Sequence, residues 1–210
     1  IDINPLEELT LKNITKQQPQ NILTWKQLEN IYLNYKNSSI TGRRNKAIIG
    51  MFIYQGLSSN EISSLEIKDI KLEEAKVEVF GTDKTNSRTL KLQANQILEL
   101  QKYLVQIRPI LLELSPKQTD KLFISTGEGN KLSNTFTNLT KQIKKIEPKY
   151  ISPKQIRTSV ITYWLKIYKL REVQYMIGHK YVSSTERYQT KHLDELQDQI
   201  DQMHPLNTPS

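Results

Sequence analysis

The segment at residues 45–55 constrains the fold more than any other part of the chain. Its centre is almost continuously apolar, with Ala47, Ile48, Ile49, Met51, Phe52 and Ile53. A helix that is apolar on nearly all sides is stable only when other elements cover it completely. We therefore predict a central buried helix here, around which the remaining elements pack.

Helices are predicted on both sides of this segment. Thr24 and Gln27 have the spacing of a capping box, in which each side chain satisfies a backbone donor of the other residue, and so do Ser58 and Glu61. The stretch from Asn37 to Gly42 is predicted to separate the first helix from the central one. Apolar spacing and helix-start or helix-stop residues predict further helices at 95–107, 110–114, 133–147 with Ser133 as its cap, 153–168, 173–177 and from about Leu193.

One region has the two-residue period of β-strands. Apolar and polar residues alternate at 76–80 and again at 88–92, and a polar turn from Gly81 to Ser87 joins the two runs. A third strand is predicted within 67–72. The chain is thus predicted to be mainly α with a small antiparallel β-sheet, an α+β fold.

Composition narrows the class of protein. The chain has 210 residues, a net charge of +8 and no cysteine. Disulfides, thiolate catalysis and cysteine-ligated zinc are therefore excluded. The positive charge favours a polyanionic partner, nucleic acid before membrane. No apolar run approaches the ~18 residues that span a bilayer. These features predict one compact domain in a reducing, cytoplasmic setting.

A cluster of reactive side chains lies near the C-terminal end. The pair Gly178–His179 precedes Tyr188 by nine positions, and Lys154 precedes Arg157 by three. A histidine, an arginine, a lysine and a tyrosine in one short region suggest chemistry on a phosphodiester. Tyrosine is a poor nucleophile at neutral pH, because its pKa is ~10, so it needs cationic neighbours. Arginines can also clamp the negative charge of a phosphorane.

Six sequence blocks in order resemble the catalytic domain of tyrosine recombinases, the phage integrase family. They are RRNKAIIGMFIYQGLSSNEISSLEIKDI, GTDKTNSRTLKL, LFIS with GEGNKLSN, SPKQIRTSVITYWL, LREVQYMIGH and SSTERY. The resemblance implies the fold of that domain and a reaction without metal or other cofactor. In that reaction a tyrosine attacks the scissile phosphate, which leaves a 3′-phosphotyrosyl bond and a free 5′-hydroxyl.

The resemblance also implies roles for individual residues. Tyr188 matches the nucleophile, and Arg157 matches the arginine of the H-x-x-R box, in which Lys154 replaces the usual histidine. His179 would bond a non-bridging phosphate oxygen. Lys84 in the hairpin turn matches the lysine that protonates the leaving 5′-oxygen.

The sequence departs from the family at one position. The family pattern G-L-R-x-x-E becomes Gly56-Leu57-Ser58-Ser59-Asn60-Glu61, so Ser58 stands in place of a catalytic arginine. Our first candidate for a substitute is Arg88 on the hairpin, ahead of Arg43 and Arg44. The acidic positions expected to support the site from behind are Glu61 and Asp69.

The resemblance divides the chain into three parts. Residues 1–21 are expected to be a linker or arm from an N-terminal DNA-binding domain, and 22–190 the catalytic domain. Residues 191–210 would hold a C-terminal helix and tail that docks on a neighbouring subunit or folds back on its own core. The expected partners are double-stranded DNA and further copies of the chain, a tetramer on DNA and a monomer in free solution. The chain is expected to be encoded by a prokaryote, a phage or a mobile element and to associate with the nucleoid.

Two other functions stay open from the sequence. A DNA-binding or architectural relative could have lost catalysis, which the serine at position 58 makes credible. A type IB-like topoisomerase would share the chemistry but relax supercoils without exchanging partners.

Overall fold

The computed structural model of the chain describes residues 22–127 and 132–188. The predicted linker at 1–21 and the predicted C-terminal helix from about Leu193 lie outside these residues. The helices are α1 (Trp25–Asn34), α2 (Ile40–Tyr54), α3 (Ser59–Ser64), α4 (Ala94–Lys102), α5 (Arg108–Glu113), α6 (Ser133–Ile146), α7 (Pro153–Trp164) and α8 (Leu170–Ile177). Residues 183–188 are also helical.

Helix α2 is the centre of the domain, as its apolar sequence predicts. Five of its side chains are completely buried: Ile48, Ile49, Met51, Phe52 and Ile53. The helix begins at Ile40, however, so the predicted break up to Gly42 is wrong in its second half. The reason is Ser39, whose side chain accepts a hydrogen bond from the Gly42 amide at 2.9 Å and caps the helix there.

Helices α1 and α7 pack against α2 and against each other. The Trp25 ring stacks on Tyr163 with ring centroids 4.6 Å apart. The Leu23 amide donates to the Ser159 hydroxyl at 2.9 Å, which ties the entry of α1 to the middle of α7. This packing fixes α7 relative to the core, and α7 carries Arg157.

The three strands form one antiparallel sheet in the order β1 (Ile70–Lys71), β2 (Lys76–Val79) and β3 (Arg88–Lys91). Val79 pairs with Arg88 in the register. Because side chains alternate between faces, Arg88 and Leu90 are buried on β3 whereas Thr89 and Lys91 are exposed. The predicted fold class, mainly α with a small antiparallel sheet, is confirmed.

Several predicted helix boundaries differ in the structure. Helix α7 ends at Trp164 rather than at residue 168, and α8 begins at Leu170 rather than at residue 173. The helical pieces on either side of Pro109 are continuous, because a π-helical turn at Tyr103–Ile107 joins α4 to α5. Proline lacks an amide proton, and its place in the first turn of α5 needs none. Ser133 is the first residue of α6 rather than its cap. Within the described residues no helix is long and apolar enough to cross a membrane.

Candidate active site

The carboxylate of Glu61 is the centre of the site. Glu61 is only 4% exposed. Its Oε2 atom accepts hydrogen bonds from the Ser58 amide and the Ser58 hydroxyl, both at 2.8 Å, and from Arg157 Nη1 at 3.0 Å. The predicted capping box at the start of α3 is therefore present, and it holds Glu61 against α7.

Arg157, on the first turns of α7, joins three segments of the chain. Its Nη1 atom also donates to the Gly56 carbonyl at 2.6 Å, and its Nη2 atom donates to the Ile177 carbonyl at 3.0 Å. These bonds connect the loop before α3 with the end of α8. The side chain keeps 15% of its surface exposed, whereas that of Arg88 keeps none.

Arg88 reaches the same carboxylate from the sheet. Its Nη1 atom lies 2.7 Å from Glu61 Oε1, an ion pair that is not aligned as a hydrogen bond, and its Nε atom donates to the Met176 carbonyl at 2.8 Å. The side chain has no exposed surface. Its Nη1 and Nη2 atoms have no aligned acceptor among the described residues. Arg88 is thus a buried charge beneath the site.

Gly178 allows this approach of Arg88. It ends α8 with a φ of 76°, the left-handed conformation that favours glycine. A Cβ atom at this position would collide with Arg88 Nη1 and lie 2.9 Å from its Cζ. Any side chain here would therefore displace either the α8 terminus or the guanidinium.

The two arginines determine the ionisation of Glu61. Burial raises the pKa of this carboxyl, but the opposing effects of Arg88 and Arg157 together outweigh burial and leave the pKa below its ordinary value. Glu61 is therefore a carboxylate at neutral pH, and it offsets two positive charges in a region with little water.

The tip of the β2–β3 hairpin contacts the turn after α8. The Asn86 amide donates to the Gly178 carbonyl at 2.8 Å, and Thr85 pairs with His179 in an isolated bridge. Lys84, one residue before Thr85, is exposed at this tip. The hairpin tip, which includes Lys84, therefore lies next to the turn that carries His179.

His179 and Tyr188 lie face to face. Their rings are nearly parallel, at 16°, with centroids 6.3 Å apart. The Nδ1 atom of His179 is 2.9 Å from the hydroxyl of Thr185. Burial, and after it the positive charges of Arg157, Arg187 and Arg88, lowers the pKa of His179 to about 4. The imidazole is therefore neutral at physiological pH.

The other predicted site residues have different surroundings. Lys154 is exposed on the first turn of α7, one turn before Arg157. The Asp69 carboxylate accepts from the Glu66 amide at 2.8 Å and closes a short turn before β1. The structure places Arg44 against the Ile124 carbonyl and Arg43 near Gln106, rather than at Glu61. Of the three candidate substitutes, only Arg88 contacts Glu61.

Sequence reasoning missed two contributors to the site. The SSTERY block contains Thr185, but no pattern marks it as a site residue, although its hydroxyl contacts His179. The carbonyl of Gly56 accepts from Arg157, and no side-chain pattern could predict a backbone acceptor. Among the described residues no group of three or more acidic or histidine side chains could hold a metal ion.

Comparison with known proteins shows the family of the chain. Residues 21–195 match the phage integrase family. The chain belongs to this family. It is 28% identical over 219 residues to the tyrosine recombinase XerC of Thermodesulfovibrio yellowstonii, covering 99% of this chain and 69% of that protein. It is 29% identical over 173 residues to XerD of Staphylococcus saprophyticus, covering 80% and 57%.

Solved structures of integrase-family proteins share the fold. The XerH recombinase bound to its difH substrate before cleavage aligns with a TM-score of 0.67 and 25% identity, over 84% of this chain and 52% of that one. XerA aligns with a TM-score of 0.65 and 21% identity, over 88% and 65%. The chain thus spans about half to two thirds of these relatives, and the integrase catalytic-domain fold is confirmed.

The integrase site should depend on Glu61 for its stability. Replacing Glu61 with Gln leaves Arg88 and Arg157 buried without a counter-charge, which typically costs about 3–5 kcal/mol. Urea denaturation should show this loss in the free energy of unfolding. Glu66→Gln is the control, because Glu66 forms its ion pairs with Lys68 and Lys121 at the surface. Equal small effects in both variants would contradict the central role of Glu61.

The pH dependence of stability should contain a contribution from His179. Its pKa in the folded chain, about 4, is below the unfolded value of ~6.5. The unfolded chain therefore binds more protons in this window, and stability falls as the pH drops from about 6.5 towards 4. NMR titration should give the low midpoint, and His179→Gln should weaken the pH dependence measured by denaturation. A titration midpoint of His179 near 6.5 would contradict a buried imidazole that is neutral at physiological pH.

Proposed function

We propose that this chain is the catalytic part of a site-specific recombinase, which breaks and rejoins DNA strands. The Tyr188 oxygen attacks the scissile phosphorus, a 3′-phosphotyrosyl bond forms, and the bond to the 5′-oxygen breaks. That oxygen takes up a proton and leaves as a hydroxyl. Rejoining is the reverse reaction with the 5′-hydroxyl of another strand. The covalent link conserves the energy of the phosphodiester, so no nucleotide is consumed.

One observation carries this proposal. The ring of Tyr188, in a chain of the phage integrase family, lies parallel to that of His179, and the charges of Arg157, Arg187 and Arg88 act on this histidine. The Tyr188 phenol thus has a neighbour that can hold a phosphate oxygen, and arginine charges that can stabilise a phosphorane act on that neighbour. Of the ten tyrosines, all of which are among the described residues, Tyr188 is the one that follows Gly178–His179 by nine positions and has its ring stacked parallel to that of His179.

The remaining roles follow from which groups are exposed. Arg157, whose side chain is partly exposed, would bond the phosphate, and His179 would donate to a non-bridging oxygen. Lys154 would contribute a third donor from the α7 terminus. Lys84 would protonate the leaving 5′-oxygen, since the hairpin tip is exposed and next to the His179 turn.

Double-stranded DNA is the proposed substrate. The net charge of +8 favours a polyanion, and the XerH relative was solved in complex with its difH substrate. We further propose assembly as a tetramer on DNA from monomers, with residues 191–210 docking on a neighbouring copy. Residues 1–21 would be the linker to a DNA-binding domain, and DNA binding by the chain alone would be weak and salt-sensitive.

Arg88 is our proposed substitute for the arginine that position 58 lacks. It pairs with Glu61, beside Ser58, and contributes to the positive field at His179. Because its guanidinium is fully buried, it would act by its charge and by supporting the Gly178 turn, and not by clamping the phosphate in this conformation. Arg88 on β3 would thus provide the positive charge that Ser58 lacks.

A second candidate function is DNA binding without cleavage. It is favoured by the Ser58 substitution and by the burial of Arg88, which leaves Arg157 as the arginine paired with Glu61 that has exposed side-chain surface. Loss of one charged donor can reduce a rate by about 100-fold or more. The covalent-adduct experiment below separates the two candidates.

A nicked DNA substrate tests the nucleophile. Because the nick lets the short 5′-hydroxyl fragment diffuse away, the chain should accumulate as a covalent adduct that denaturing gels detect. Tyr188→Phe should form none, whereas Tyr181→Phe should behave as the wild type, since Tyr181 is exposed and lies seven residues earlier. An adduct that survives Tyr188→Phe would refute this mechanism, and no adduct with the wild type would favour DNA binding alone.

The same substrate tests the substitute charge. Arg88→Ala should slow adduct formation by about 100-fold or more and leave DNA affinity largely intact, because the lost charge acts on the reacting phosphate. Arg88→Lys should retain part of the rate. Circular dichroism of each variant excludes unfolding as the cause. Adduct formation by Arg88→Ala at the wild-type rate would contradict the proposal that Arg88 replaces the arginine that position 58 lacks.

A further inference from the structure

Thr185 is a buried hydroxyl residue that the proposed chemistry has not used. It has no exposed surface, and its Oγ1 atom lies 2.9 Å from His179 Nδ1. Its amide donates to the Val182 carbonyl at 2.7 Å, which places it in the helical stretch at 183–188. Residues three apart lie on neighbouring positions of a helix surface, so Thr185 and Tyr188 both face the His179 ring.

The position of one proton follows from this contact. The hydroxyl of Thr185 can donate once, and in the part of the chain that is described its hydrogen-bond partner is His179 Nδ1. If Nδ1 carried the imidazole proton, it would donate to Oγ1, and the buried hydroxyl proton would have no acceptor. If Nδ1 carries the lone pair, the hydroxyl donates to it and both groups are satisfied. Since unsatisfied buried donors are costly, the second arrangement is favoured.

The rest of His179 is held independently of its ring. Gln174 accepts the His179 amide at 3.1 Å through its carbonyl, and donates to the His179 carbonyl at 3.0 Å through its side chain. These bonds fix the backbone but leave rotation of the ring and the choice of tautomer free. Thr185 is the described group that constrains the ring nitrogen itself.

We propose that Thr185 is a positioning residue that holds His179 as the Nε2–H tautomer; this rests on the proposed cleavage reaction. With Nδ1 occupied as an acceptor, Nε2 carries the proton and can donate to a non-bridging phosphate oxygen. The opposite tautomer would present a lone pair to that oxygen, and the two would repel each other. Thr185 thus makes a neutral histidine a fixed hydrogen-bond donor without a change in net charge.

The tautomer is measured on the DNA-free chain by two-bond hydrogen–nitrogen NMR correlation of the imidazoles. The chain has three histidines, so a spectrum of His179→Gln assigns the relevant signals. We expect Nε2–H in the wild type, a mixture of tautomers in Thr185→Val, and the wild-type pattern in Thr185→Ser. Thr162→Val is the matched control, because it also removes one buried threonine hydroxyl, which bonds the Thr158 carbonyl. An Nδ1–H signal in the wild type, or an unchanged tautomer in Thr185→Val, would overturn the proposal.

The effect on the reaction is measured with the nicked substrate. Adduct formation should be about 10-fold slower in Thr185→Val, the size of one neutral hydrogen bond. It should be restored in Thr185→Ser and unchanged in Thr162→Val, with equal DNA affinity throughout. A wild-type rate in Thr185→Val despite an altered tautomer would overturn the role in cleavage. If even the wild type forms no adduct, the recombinase function fails, whereas the NMR result still decides the tautomer.

Discussion

The ion triad of Arg88, Glu61 and Arg157 is the interaction on which the site depends. It joins three parts of the chain that are distant in sequence: the sheet, the start of α3 and the start of α7. Two like charges can be held this close in a poorly solvated place only because one carboxylate lies between them. The carbonyls of Gly56, Met176 and Ile177 accept from the same guanidinium groups. The loops that carry the reactive side chains are thereby attached to a common charged centre.

This arrangement explains how a serine can occupy a position where the family pattern has arginine. Ser58 does not leave Glu61 without partners, because its amide and hydroxyl both donate to the carboxylate while Arg88 supplies charge from the other side. Ser58 therefore has a clear structural role as the cap of α3. The catalytic consequence is a separate matter, since a buried charge acts through its field whereas an exposed fork would bond the phosphate directly.

Much of the fold could be predicted from local sequence signals. The all-round apolar pattern of α2, the capping boxes at Thr24 and Ser58, and the alternation in the hairpin each follow from short-range physics and are confirmed. The predicted start of α2 was wrong because the Ser39 cap stabilises the first turn of the helix, although the neighbouring residues disfavour a helix. In the site, motif spacing singled out His179, Arg157 and Tyr188, which the fold brings near one another. The contacts of Arg88 and Thr185 depend on burial and on bonds between distant segments, which spacing does not encode.

The alternation of side chains along β3 has a consequence for how such a chain can vary. Arg88 points inward because its place in the register, opposite Val79, is on the buried face of β3. Its orientation is therefore set by the alternation of side chains along the strand and not by its charge. Substitutions in the polar turn leave that alternation intact, whereas a one-residue slip of β3 would turn the guanidinium to solvent and put a neutral neighbour beside Glu61. Sequence changes in the turn therefore leave Arg88 on the buried face, as long as the pairing of β2 with β3 is kept.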